Sequence, residues 1–179
     1  MDTIMLIYRK FIDITFDFCI FKIHTFVGEK KKNMIADYNT MPHMCWECNR
    51  LYFDNQLRTP KFDLLHSYRK LGKFEYRWGE QKKPVKKRHM VILMSDYFDF
   101  DEETFRNIMV HEMIHYYLYL NGESNCSTFR CFLKFFGFKC FDHGPKFMAM
   151  AQKLNEQYGL NITKTYDASS IPLAPNALQ

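Results

Sequence analysis

Between Ile108 and Leu120 the chain reads IMVHEMIHYYLYL, and its only strongly polar side chains are His111, Glu112 and His115. A helix that is apolar on all sides lies buried in the protein. A buried polar side chain that lacks a partner costs on the order of 1–3 kcal/mol. The segment therefore predicts a buried helix whose polar side chains have a partner.

His111 and His115 stand four residues apart, so on a helix they share one face, with Cβ atoms about 5–6 Å apart. Both imidazoles can then bind one zinc ion through bonds of about 2.0–2.1 Å. Glu112 lies about 100° around the helix axis, where it can take a proton from an attacking water molecule. This HExxH spacing predicts a catalytic zinc site. The alternative is a pair of core histidines bonded to the main chain.

A catalytic zinc ion needs a third protein ligand and one open position. The longer pattern HExxHxxGxxH is absent, because Leu118 and Asn121 occupy its glycine and final histidine positions. Glu123 lies almost at the predicted end of the helix, and Glu156 lies deep in the last predicted helix. His143, in DHGPKF at the start of that last helix, is the predicted third ligand. The alternative for His143 is an ordinary residue at a helix N-terminus.

Hydrophobic patterns predict the elements around this motif. Apolar residues recur at helical steps from Tyr38 to Phe53. Three extended runs follow, KFDLLHS, GKFEYRWG and HMVILMS, and the last is a continuous apolar run typical of a buried strand. These elements and the helices that follow predict an α+β fold.

The two helices after these runs have predicted ends. Asp99 is a suitable N-cap for the HExxH helix, and Glu102 follows at capping-box spacing. Asn121 and Gly122 predict the end of that helix. The last helix is predicted to begin near Pro145 and to stop at Gly159.

The length of 179 residues and the apolar fraction of 47% predict one domain with its own core, which we assign to residues 36–166. Residues 1–35 are interpreted as an N-terminal extension, either an extra strand or helix or an upstream addition. Charges interrupt its apolar run, so no membrane span is predicted. Residues 167–179 are expected to form a loose tail.

The six cysteines show no secreted-scaffold pattern, and no signal peptide is recognisable, so we expect reduced thiols in a cytoplasmic protein. Cys45 and Cys48 form a CxxC. No second CxxC completes a zinc ribbon, and unligated cysteines are therefore expected.

Positive charge is concentrated in one segment. Between Arg58 and Arg88 there are eleven Lys or Arg and three acids, which gives +8 there and −3 in the remainder of the +5 chain. Such a patch can bind DNA through its phosphates, and otherwise is a solvated rim. The predicted contacts are Lys82, Lys83, Lys86, Lys87 and Arg88.

Five motifs extend roughly from Tyr38 to Tyr166: YFDNQL, LGKFEYRW, HMVILMS, FRNIMVHEMIHYYLYLNG and HGPKFMAMAQKLNEQYGLNI. Together they resemble the SprT-like family of zinc metalloproteases. The resemblance implies a small zincin-like α+β domain, with a short sheet beside the metal-bearing helices. It also implies Zn²⁺ held by His111, His115 and His143, with Glu112 as general base.

Members of this family act as peptidases, some of them on proteins crosslinked to DNA, so the resemblance implies a protein or peptide substrate. The stretch between Gly122 and His143 is longer and more aromatic than usual for the family, and a C-terminal zinc ribbon is missing. A donor to the reacting carbonyl oxygen is also expected, with His66, Tyr116 and Arg130 as candidates.

Two other functions stay open at this point. The zinc ion could stabilise a non-catalytic module that binds nucleic acid through its basic face. The aromatic N-terminal segment could instead serve a structural or membrane-associated protein.

Overall fold

The computed structural model describes residues 33–77, 89–122 and 143–178. The helices are α1, Thr40–Tyr52; α2, Glu102–Leu120; and α3, Pro145–Tyr158. The strands are β1, Asn33–Ile35; β2, Lys61–Leu65; β3, Gly72–Arg77; β4, His89–Ser95; and β5, Asp99–Asp101. These helices and short sheets form a small α+β protein, as predicted.

The larger sheet has the strand order β2-β4-β3. β4 is central, with β2 parallel and β3 antiparallel to it. The central position explains the continuous apolar run of β4, because its four residues from Val91 to Met94 are all buried. β3 is an edge strand of this sheet and packs against α2.

The start of α2 differs from the prediction. The N-cap is Asp101, whose carboxylate accepts a hydrogen bond from the main-chain N–H of Thr104 at 2.9 Å. Asp99 instead pairs with Ile35 in the antiparallel β1–β5 ladder, and its carboxylate accepts from Asn33. The strand continues to Asp101, so the helix begins later than predicted.

The β1–β5 ladder also places the start of the folded unit before residue 36, the predicted first residue of the domain. β1 lies within the segment interpreted as an N-terminal extension, residues 1–35, yet it pairs along its whole length with β5. The compact unit that contains the predicted domain accordingly begins at Asn33.

α2 lies at the centre of the described part of the unit that begins at Asn33, as its apolar sequence predicts. It packs against α1, α3 and β3, and most of its side chains are buried. α1 turns one apolar face toward it, made of Met41, Met44, Cys45, Cys48 and Tyr52. The two cysteines thus belong to the core.

α3 has the ends that were predicted. Pro145 lies in its first turn, and Gly159 ends it in the left-handed conformation, with φ +70°. The chain then returns along α2, where the main-chain N–H of Asn161 donates to the side-chain oxygen of buried Asn107 at 3.1 Å. This return places residues 160–166 beside the HExxH motif.

The C-terminal tail is not loose as expected. Leu173 forms a β-bridge with Phe98, and the main-chain N–H of Ala174 donates to Tyr97 at 2.9 Å. Ala174 is fully buried. Main-chain pairing to the segment before β5 therefore holds the tail against the domain.

Among the residues that the structure describes, no helix combines the length and the apolar character that a bilayer crossing requires.

Candidate metal centre

Three imidazole rings meet at one point between α2 and the start of α3. The Nε2 atoms of His111 and His115 lie 3.3 Å apart, as do those of His115 and His143. The Nε2 atoms of His111 and His143 are 2.9 Å apart. Within the described part of the chain, these residues are the single group of His, Cys, Asp or Glu side chains that could hold a metal ion. The structure therefore brings the three predicted ligands together.

The protonation of His111 suits metal binding. Its Nδ1 lies 2.9 Å from the main-chain oxygen of Thr163. A carbonyl oxygen only accepts, so Nδ1 carries the proton and Nε2 presents a lone pair toward the other two rings. Burial and the neighbouring imidazoles of His115 and His143 lower the pKa of His111 to about 3. His111 is thus neutral at physiological pH, in the tautomer that binds a metal through Nε2.

The spacing of the three nitrogens is close to that of ligands in a tetrahedral metal site. In a tetrahedral zinc site with Zn–N bonds of about 2.0–2.1 Å, neighbouring ligand nitrogens lie about 3.3 Å apart. Two of the three observed separations are 3.3 Å, and the third is 2.9 Å. The three histidines would fill three of four tetrahedral positions, which leaves one for another ligand.

Phe147, in the first turn of α3, supports all three imidazoles from one side. Its ring centroid lies 4.7 Å from that of His111, 4.6 Å from that of His115 and 4.7 Å from that of His143. The Phe147 side chain is fully buried. It therefore restricts the orientation of the three rings and keeps water from this side of the centre.

Glu112 lies in the same buried environment, with 6% of its surface exposed. Burial raises the pKa of Glu112 to about 8, and a hydrogen bond from the main-chain N–H of Phe74 on β3 opposes that rise. A cation held by the histidines would favour the ionised carboxylate. Glu112 is thus a group that can accept and return a proton near neutral pH.

A cleft of about 750 Å³ lies beside the three histidines and Glu112. Its described walls come from residues 69–75, from α2, and from residues 164–166. Four cationic side chains line it, against the two carboxylates of Glu75 and Glu112; the cations are Arg69, Lys70, Lys73 and Lys164. Lys73 forms an ion pair with Glu75 at 2.7 Å. The cleft carries more positive than negative charge.

Tyr166 was not among the candidate donors from sequence, yet it lines this cleft. Its ring lies 5.8 Å from that of His111, and its hydroxyl is 3.4 Å from both the Thr163 nitrogen and the Asn161 oxygen. Burial raises the pKa of Tyr166 to about 12, so the phenol is protonated at neutral pH. It could have been found only from the fold, because the return of the chain after α3 brings it here.

Two of the three donors proposed from sequence make other contacts. His66 bonds to the carboxylate of Asp96 at 2.9 Å, and Tyr116 is buried with its ring stacked on that of Phe74. Neither of them lines the cleft. Arg130 lies outside the described residues.

The predicted nucleic-acid contacts also lie outside the described residues; they are Lys82, Lys83, Lys86, Lys87 and Arg88. The described part of the same basic segment brings Arg69, Lys70 and Lys73 to the cleft. This part of the segment therefore adjoins the candidate centre.

The fold and the centre define a class: a small α+β protein in which a histidine pair from one helix and a histidine at the start of another form a group that could bind a metal ion. The sequence pattern of the SprT-like family matches residues 41–166, and the chain belongs to that family. A comparison with curated proteins found no match. The family match and the group of three histidines both indicate a metal-associated protein.

Proposed function

We propose that the chain is a zinc-dependent metallopeptidase, with His111, His115 and His143 as zinc ligands and Glu112 as general base. The observation that carries the proposal is the convergence of three Nε2 atoms within 3.3 Å beside a buried carboxylate. The adjoining cleft is large enough for part of a polypeptide, so a protein or peptide is the proposed substrate.

When bound, zinc supplies Lewis acidity, which lowers the pKa of a water molecule and polarises the scissile carbonyl. Glu112 accepts the proton of the attacking water and then returns it to the leaving amine. The main-chain N–H of Phe74 holds the Glu112 carboxylate in place. The protonated hydroxyl of Tyr166 is our candidate donor to the carbonyl oxygen that gains negative charge.

Proteins associated with DNA are a proposed substrate class. The support is the +8 charge between Arg58 and Arg88, part of which lines the cleft. Phosphate contacts there would hold DNA near the candidate centre. The remaining proposed contacts are Lys82, Lys83, Lys86, Lys87 and Arg88.

The test is proteolysis of a denatured protein by the purified chain, with and without DNA, beside zinc analysis. We expect Glu112→Gln to abolish cleavage while zinc stays at about one ion per chain, because the variant removes the base and keeps the ligands. His143→Ala should lose zinc and activity together. Glu156→Gln is the matched control, since Glu156 is exposed on α3 and does not line the cleft.

Cleavage by Glu112→Gln at the wild-type rate would overturn the assignment of the base. The cationic lining of the cleft also suits a second function, a zinc-stabilised module that binds nucleic acid without catalysis. Salt-dependent DNA binding with no proteolysis by the wild type, even of DNA-bound protein, would establish that function instead.

A further inference from the structure

Gly72, the first residue of β3, lies directly against Glu112. A Cβ atom built at Gly72 would be 2.9 Å from Oε1 of Glu112 and 3.1 Å from its Cγ. It would also be 2.9 Å from Cγ2 of Ile108, one helical turn earlier on α2. Ordinary van der Waals contacts of a Cβ begin near 3.4 Å, so a side chain at position 72 would collide with both residues.

The strand that contains Gly72 also supplies the hydrogen bond to Glu112. β3 is an edge strand, and the main-chain oxygen of Leu71 faces β4, where it accepts from Ser95 at 2.9 Å. Main-chain groups alternate in direction along a strand, so those of Gly72 and Phe74 face away from β4. The N–H of Phe74 donates to the Glu112 carboxylate on this open side.

We infer that Gly72 is a positioning residue: its missing side chain lets the Glu112 carboxylate lie against the edge of β3, where the Phe74 N–H holds it beside the three histidines. The catalytic consequence of this inference rests on the proposed peptidase function. The φ angle of Gly72 lies outside the left-handed range, so the requirement at this position is for space.

Glu112 has little freedom to avoid a new methyl group. Rotation of the carboxylate could clear Oε1, but it would leave the 3.1 Å contact with Cγ. The helix cannot retreat easily either, because α2 is buried among α1, α3 and β3. Gly72→Ala should therefore shift the carboxylate relative to the histidines.

The first measurement is thermal unfolding, which needs no activity. Overpacking of this kind should make Gly72→Ala lower Tm by about 2–10 °C. Adding the same change to Glu112→Ala should lower Tm by roughly half as much, because only the Ile108 contact then remains. Equal shifts in both backgrounds would overturn the contact between Gly72 and Glu112.

The second measurement separates positioning from a general loss of structure. In Gly72→Ala, zinc should stay at about one ion per chain, and kcat should fall on the order of 10²-fold with KM changed less than about twofold. Ile108→Ala removes the other collision, so Gly72→Ala/Ile108→Ala should stay impaired relative to Ile108→Ala alone. Because Ile108 is itself buried, the two Ile108→Ala variants are compared with each other below their own Tm.

Glu112→Asp gives a further test, because its shorter side chain withdraws from position 72. Gly72→Ala should lower the residual kcat of that variant less than about twofold. A kcat for Gly72→Ala within about twofold of wild type, or full rescue by Ile108→Ala, would overturn the positioning role. No cleavage by the wild type would refute the proposed function, and the Tm comparison would still decide whether Gly72 and Glu112 are in contact.

Discussion

Asn155, near the end of α3, fixes the segment that orients His111. Its side-chain nitrogen donates to the main-chain oxygen of Ile162 at 3.0 Å, and its side-chain oxygen accepts from the Ile162 N–H at 2.8 Å. The next residue, Thr163, provides the carbonyl that accepts from His111 Nδ1 at 2.9 Å. Asn155→Ala should therefore loosen His111, a proposed zinc ligand that Asn155 does not touch.

The size of the effect follows from these two bonds. Each contributes about 1 kcal/mol net, so the variant loses about 2 kcal/mol of unfolding free energy. Because a tenfold change in Kd corresponds to about 1.4 kcal/mol, a loss of about 2 kcal/mol can raise the zinc Kd by no more than about 30-fold. Loss of an outer partner of a ligating histidine typically weakens metal affinity by about 10- to 100-fold. We expect the Kd of Asn155→Ala to rise by about 10- to 30-fold.

The chain offers a matched control in Asn49 of α1. Its side chain makes the same pair of bonds to Leu57, at 2.8 and 3.1 Å, and it does not line the cleft. Zinc Kd would be measured by competition with a coloured chelator, and stability by denaturant unfolding. Asn49→Ala should lose similar stability with an unchanged Kd. Equal effects of both variants on Kd, or no effect of Asn155→Ala, would refute the role of the Thr163 carbonyl.

Two further predictions concern stability. Burial raises the pKa of the Cys45 thiol from 9.0 to about 12, so the stabilising contribution of the neutral thiol is full below pH 9 and is lost as pH rises toward 12. In denaturant unfolding, the stability advantage of wild type over Cys45→Ala should therefore shrink over this pH range. A constant advantage would contradict this prediction. Asp101→Ala should lower the free energy of unfolding by about 1 kcal/mol, because it removes the cap on Thr104, and N-terminal fraying should appear in amide exchange of α2. Protection of α2 that falls with Asp99→Ala and not with Asp101→Ala would show that the cap is elsewhere.

Features that depend on neighbours in sequence were the ones predictable in advance. The buried run of β4, the first turn of α3 at Pro145 and its stop at Gly159 each follow from a local pattern. The histidine pair of α2 is of the same kind, because helical spacing alone puts His111 and His115 on one face.

The errors arose where distant segments pair. Asp99 has the local pattern of an N-cap, but pairing with β1, more than sixty residues earlier, extends the strand through it. Residues 167–179 have the composition of a loose tail, yet Leu173 pairs with Phe98. Main-chain pairing of this kind leaves almost no trace in the pattern of either segment alone.

The supports of the centre were also out of reach, since they join residues far apart. Thr163 meets His111 across 52 positions, and Gly72 meets Glu112 across the interface of β3 and α2. A carbonyl oxygen and a missing side chain carry no chemical signature in a sequence. Gly72 is visible in the sequence as the first residue of an extended run, but only the fold shows that Glu112 lies against it.

The three polar side chains between Ile108 and Leu120 can be matched with their partners in the structure. The Nδ1–H of His111 donates to the main-chain oxygen of Thr163, and the Glu112 carboxylate accepts from the main-chain N–H of Phe74. The Nε2 lone pair of His111 faces the Nε2 atoms of His115 and His143. A proton shared between two of these nitrogens makes one hydrogen bond and does not bond to the third nitrogen. One cation can serve all three nitrogens at once, and its charge would also favour the ionised Glu112. A metal ion at the proposed site would therefore allow this apolar helix to bury its histidines and its carboxylate together.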